Sequence, residues 1–94
     1  MVIGLLTVEM HLPGARSLKE KRMILRSVKD RIKKFNVAVS ETAHHDLWQR
    51  AELGVVTIST ADDAVDRELA AVRNEIDRVE PGLITRTQVD LMEA

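Results

Sequence analysis

Residues 17–34 read SLKEKRMILRSVKDRIKK, and this stretch sets the terms for the rest of the chain. At about 100° per residue, Leu18, Ile24, Leu25, Val28, Ile32 and Phe35 fall in one sector, which predicts a helix packing that face on a core. Lys19, Arg22, Arg26, Lys29 and Lys33 recur every three or four residues in the adjacent sector and form one cationic row. Ser17 and Glu20 have capping-box spacing: the hydroxyl accepts from the Glu20 amide while the carboxylate reaches back. Lys21 lies at an angle inside the apolar sector, so its stem is expected to cross the core edge and carry the ammonium to water, with a functional lysine as the alternative.

Upstream, Pro13-Gly14 breaks a predicted strand over Val2–Leu12. Val2, Leu6, Val8, Met10 and Leu12 should face the helices, which leaves Ile3, Leu5, Thr7, Glu9 and His11 on the other sheet face. Two neighbouring large aliphatics, Ile3 and Leu5, call for a cover, and a subunit partner is the simplest one. Downstream, Phe35 closes the helix and Asn36 is expected as a left-handed stop. Val37–Thr42 alternates as a second strand with Val37 and Val39 inward, and Arg50–Thr60 reads as a third, with Gly54 marking a bulge or a close approach. Thr60 with Asp63 resembles a second capping box. Val65, Leu69, Val72, Ile76 and Val79 then form a core stripe that ends at Glu80-Pro81-Gly82. Leu83–Leu91 alternates as the last strand, with Leu83, Thr85, Thr87, Val89 and Leu91 on one side.

Strand, helix, strand, strand, helix, strand is the ferredoxin-like α+β order: a four-stranded antiparallel sheet with both helices on one face, formed by residues 1–94 as a single domain. Ninety-four residues should bury roughly 60–65% of the surface the unfolded chain exposes. The absence of cysteine excludes disulfides, thiolate metal sites and cysteine nucleophiles. No apolar run approaches the ~20 residues of a spanning helix, and no basic region followed by a cleavage site opens the chain; the expectation is a cytoplasmic protein without a membrane role. The net charge of −1 conceals a strong division. Residues 16–34 carry nine basic and two acidic side chains, +7, against five basic and thirteen acidic elsewhere, −8.

Motifs for chemistry are sparse. A helix start beside Arg16, Lys19 and Arg22 suits a phosphate, but the capping box competes for its amides, and no phosphate-cradling glycine loop is present. His44, His45 and Asp46 have ligand side chains, yet adjacent histidines on an extended chain point apart, so no metal site and no cofactor are expected. Trp48, the only tryptophan, is expected with Leu47 over a sheet end or in a subunit contact.

Leu12-Pro13-Gly14-Ala15-Arg16-Ser17-Leu18-Lys19-Glu20-Lys21-Arg22, Phe35-Asn36-Val37 and Asp46-Leu47-Trp48-Gln49-Arg50-Ala51-Glu52-Leu53-Gly54 resemble the small bacterial YlxP-like proteins of uncharacterised function. The resemblance covers residues 1 to about 60 strongly and the remainder by pattern. It implies a ferredoxin-like fold and a cytoplasmic, translation-linked setting, since genes of this family commonly neighbour those of translation and ribosome-maturation factors. No catalytic residue carries over.

Three functions compete. The leading expectation is a non-catalytic module in which Arg16, Lys19, Arg22, Arg26, Lys29 and Lys33 contact phosphates of structured RNA, plausibly ribosomal. The alternative is a structural or regulatory homo-oligomer without a nucleic-acid role, in which the basic helix meets an acidic surface of another protein or of its own partner; a symmetric homodimer joined through Ile3, Leu5 and Trp48 is expected beside either function. The third is an enzyme grouping Lys21, Glu9 and His11 on a small anion. The strand alternation argues against it, because Glu9 and His11 face away from the helix.

Overall fold

Alternation along the first strand is realised in the computed structural model, which describes residues 1–94. In chain order the elements are β1 (Val2–His11), α1 (Leu18–Ile32), β2 (Ala38–Ala43), β3 (Arg50–Ser59), α2 (Asp62–Val79) and β4 (Ile84–Glu93). The sheet order is β2-β3-β1-β4, and every neighbouring pair is antiparallel. This is the ferredoxin-like βαββαβ topology, with β1 and β3 central.

Val2, Leu6, Val8, Met10 and Leu12 are all buried, as are Ala51, Leu53 and Val55 of β3. They meet Leu25, Val28 and Ile32 of α1 and Val65, Leu69, Val72 and Ile76 of α2 in one core. Both helices therefore lie on one sheet face, because a strand pairing apolar and polar residues can bury only alternate side chains. Lys34, just past α1, reaches Glu75 of α2 at 3.0 Å, and Arg78 grips the same carboxylate through two hydrogen bonds of 2.9 and 2.8 Å. Arg78 first, then Lys34, holds the Glu75 carboxyl down to about 2.

The first capping box forms by half. The Glu20 amide donates to Ser17 Oγ at 3.1 Å, but the Glu20 carboxylate accepts from the Arg16 amide instead of that of Ser17. The second does not form: Ala61 is the N-cap of α2 and makes no side-chain cap bond. Asn36 does not adopt the left-handed stop; α1 ends at Ile32 with Lys33 still helical, and Asn36 instead bridges elements. Its amide donates to Glu68 at 2.9 Å and its carbonyl accepts from Thr57 Oγ1 at 2.6 Å. In β4 a register shift opposite Glu9 and Met10 breaks strict alternation, so that Ile84 pairs with Met10 and joins Leu83 against the core.

Two glycines set packing distances. Gly54 takes the close approach and not the bulge, since a Cβ there would lie 2.9 Å from Thr42 Cγ2. At Gly4 a Cβ would overlap Val65 Cγ1 and touch Leu69 Cδ1 at 3.0 Å, so α2 rests directly on the β1 backbone. Gly4→Ala should therefore cost about 1–3 kcal/mol through overpacking. Urea unfolding measures that cost, and Gly14→Ala, with nothing within 4 Å, should change stability little in the same titration.

Candidate functional site

Three surfaces could carry function, and each follows from where the sheet and helices leave side chains free. The first is the outer flank of α1. Leu25, Val28 and Ile32 point into the core, so residues one sector away face solvent. Arg22, Arg26, Lys29 and Lys33 line a groove of about 310 Å³ together with Leu25, Asp30 and Glu41 of the neighbouring β2. Lys33 pairs with Asp30 at 3.0 Å, while Lys19, Arg22, Arg26 and Lys29 make no ion pair in the chain. Lys19, Arg22 and Arg26 are exposed and Lys29 is half-buried, and unpaired cations on one helix keep their attraction for an outside anion, screened by salt. Arg16 is exposed at the entrance to the helix, and Lys19 continues the row toward it without lining the groove.

Lys21 behaves differently from its neighbours and from the expectation that it reaches water. It is 1% exposed, and its Nζ lies 2.8 Å from Glu41 Oε2 and donates to the His44 carbonyl at 2.6 Å. The short edge strand β2 supplies Glu41 and the connection after it supplies the His44 carbonyl, both beside the first turns of α1, so the ammonium is satisfied inside the protein. Lys21 is not grouped with Glu9 and His11; its partners are the end of β2 and the connection that follows it.

The second surface is the sheet face without helices. At one end Ile3 of β1 sits between Ile58 of β3 and Met92 of β4, and Leu5 faces Val56. Val56, Ile58 and Met92 are 41%, 47% and 61% exposed, and Ile3 and Leu5 are half-buried. No phenylalanine, tyrosine or tryptophan lies on this face of β1 or β3, and its one imidazole, His11, sits at the strand end, so the base-stacking platform of sheet-based RNA binders is missing. Trp48, 52% exposed, belongs elsewhere: it lines an open groove of about 570 Å³ with His11, Asp46, Leu47, Gln49 and Arg50 at the other end of β1. Eight residues of strand separate Ile3 from His11, roughly 26 Å, so Trp48 does not extend the Ile3–Leu5 patch.

The third surface, at the polar end of that same face, was not legible as a unit in the sequence. Glu9 and Glu52 are direct partners across β1 and β3, and the His44 ring reaches Glu9, its Nε2 lying 3.4 Å from Oε2. Arg50 Nη2 is 3.3 Å from the same His44 nitrogen and 3.9 Å from Glu9. Thr42 Oγ1 donates to Glu52 Oε1 at 2.6 Å; this bond, ahead of one with the Glu9 carboxyl, lowers the Glu52 carboxyl below its ordinary range. His44 is the one non-glycine residue with positive φ, 63°. His45 turns away to the Glu41 carbonyl at 3.1 Å, so the adjacent histidines point apart, through the left-handed turn at His44 and not through the extended chain expected there.

Comparison with known proteins places the chain in a family. The family model described as "Protein of unknown function (DUF503)" matches residues 3–89. The uncharacterized protein YlxP of Bacillus subtilis (strain 168) is 38% identical over 77 residues, covering 81% of this chain and 84% of that protein. Among solved structures, SnoaB from Streptomyces nogalater, described as a cofactor-independent oxygenase, aligns with a TM-score of 0.56 at 15% identity, over 99% of this chain and 92% of that one. The de novo designed protein LFR1 1, with a ferredoxin fold, aligns with a TM-score of 0.53 at 11% identity, over 98% and 83%. At these identities the solved structures share the fold and nothing about activity. No helix of the chain is long and apolar enough to cross a membrane.

Proposed function

This chain belongs to the DUF503 family of proteins of unknown function, and we propose that it is a non-catalytic, cytoplasmic module that binds the phosphates of structured RNA, such as ribosomal RNA, through the exposed flank of α1. One observation carries the reading: a protein of net charge −1 gathers Arg22, Arg26, Lys29 and Lys33 along one groove, with Lys19 and Arg16 continuing the row and only Lys33 neutralised in place. The five cations from Lys19 to Lys33 span roughly 21 Å of helix, enough to follow several successive phosphates. Such contacts position a protein on a duplex or a folded RNA without reading bases. The test is fluorescence anisotropy of a labelled RNA hairpin, comparing the unmodified protein with a variant carrying glutamine at Lys19, Arg22, Arg26, Lys29 and Lys33. The variant should lose binding while keeping its melting temperature, and equal affinity would reject the proposal.

The contiguous aliphatic end of the helix-free face supports a second reading, a homodimer with a structural or regulatory role and no nucleic-acid partner. Ile3, Leu5, Val56, Ile58 and Met92 would meet their copies, leaving the basic helices outward on both sides. Ile3→Lys with Leu5→Lys should convert the dimer to monomer in sedimentation velocity at micromolar concentration. An unmodified protein already monomeric under those conditions would remove this reading.

A further inference from the structure

We propose that Glu9, His44 and Glu52 form a binding site for a divalent metal ion of the zinc class, on the helix-free face and independent of the α1 groove. Each residue offers one ligand atom, and these atoms lie within 4.8 Å of one another. The donors come from three separate parts of the chain: the central strands β1 and β3, and the connection that follows β2. The 3.4 Å between His44 Nε2 and Glu9 Oε2 equals the separation, about 3.4 Å, of two ligands bonded at about 2.1 Å to one tetrahedral ion.

The protons of this cluster cannot satisfy every contact. Arg50 only donates, so its approach to His44 Nε2 at 3.3 Å requires the lone pair there and the proton on Nδ1. That same lone pair then faces the Glu9 carboxylate at 3.4 Å, which repels it. The other neutral tautomer, with its proton on Nε2, repairs the contact with Glu9 but turns an N–H against the guanidinium. Glu9 and Glu52 stand directly opposite on neighbouring central strands, which brings their two carboxyl groups together on the same face as the His44 ring. An ion between the three ligands removes the conflict at His44: it accepts the lone pair, is met by the Glu9 and Glu52 carboxyl groups, and displaces Arg50, whose side chain is 57% exposed and free to swing into water.

One imidazole nitrogen and two carboxylates favour zinc over magnesium and calcium, which prefer oxygen alone and more ligands. Support around the donors is already built. Thr42 orients Glu52, and Lys21 holds the His44 carbonyl from the helix side while the imidazole lies on the other face of the sheet.

Isothermal titration calorimetry of the full chain, first dialysed against a chelator, tests the site with zinc chloride and magnesium chloride. Zinc should bind one to one in the micromolar range, and magnesium should give no saturating heat at millimolar concentration. His44→Ala and Glu52→Gln should each weaken zinc binding at least tenfold, while His45→Ala and His11→Ala leave it unchanged. Circular dichroism identifies any variant that fails to fold, and the remaining one decides. Absence of zinc binding, binding that survives both ligand substitutions, or loss on replacing His45 or His11 would overturn the assignment.

Discussion

Replacing Lys21 with methionine should destabilise the protein by about 2–4 kcal/mol, although methionine fills nearly the same volume and suits the apolar surroundings. The cost comes from what is left behind. Glu41 keeps a carboxylate that is 17% exposed and loses its only cation, and the His44 carbonyl loses a 2.6 Å donor. Removing one partner of a buried pair usually costs 3–5 kcal/mol, and the residual exposure of Glu41 lowers that range. For a domain of this size the melting temperature should fall by roughly 8 °C or more. The double variant Lys21→Met with Glu41→Leu should recover most of the loss, because no buried charge is then orphaned. Urea unfolding of the single and double variants measures both values. A tolerated single substitution would mean that the Lys21–Glu41 pair does not hold α1 to the edge of the sheet.

The basic row should produce an effect of similar size in binding. Counterion release scales with the number of phosphates neutralised, at about 0.9 per contact for a duplex. A straight helix on a curved RNA backbone engages three to five of the cations from Lys19 to Lys33, so affinity should fall roughly 40- to 500-fold between 50 and 200 mM salt. Changing all five to glutamine should abolish that dependence along with the binding. Folding should survive, since Arg22, Arg26 and Lys33 are exposed and none of the five lies in the core.

Element order and core were readable from the sequence because both rest on local period. Val2 to Leu12 alternates and Val65 to Val79 repeats at helical spacing, and of the residues so marked all but Val79, at the end of α2, lie in the core. Where the reading failed, a distant contact had overridden a local rule. Lys21 looks like a lysine reaching for water until β2 brings Glu41 and the His44 carbonyl against it. Asn36 has the composition of a helix stop, but its backbone is claimed by Glu68 and Thr57. Thr60 and Asp63 have capping-box spacing, and the helix starts one residue later. The Leu83–Leu91 alternation is broken by an irregularity that only the pairing with β1 reveals.

Candidate surfaces divide in the same way. The cationic row lies on one helix and was visible as a spacing; its alignment beside Glu41 of β2 was not. Ile3 and Leu5 were visible as misplaced aliphatics, whereas Val56, Ile58 and Met92 join them only through strand register. Glu9, His44 and Glu52 share no local motif at all. The signal available in the sequence was the lone acidic position on the polar side of each central strand, and pairing those two strands in register would have placed the carboxylates together.

The central claim, that the α1 flank binds phosphates, is tested most directly by the slope of log affinity against log salt concentration for the unmodified protein on a folded RNA. A slope between about −2.7 and −4.5, reduced to near zero in the five-glutamine variant, is the predicted result. A flat slope in the unmodified protein, or the same slope in both, would contradict it.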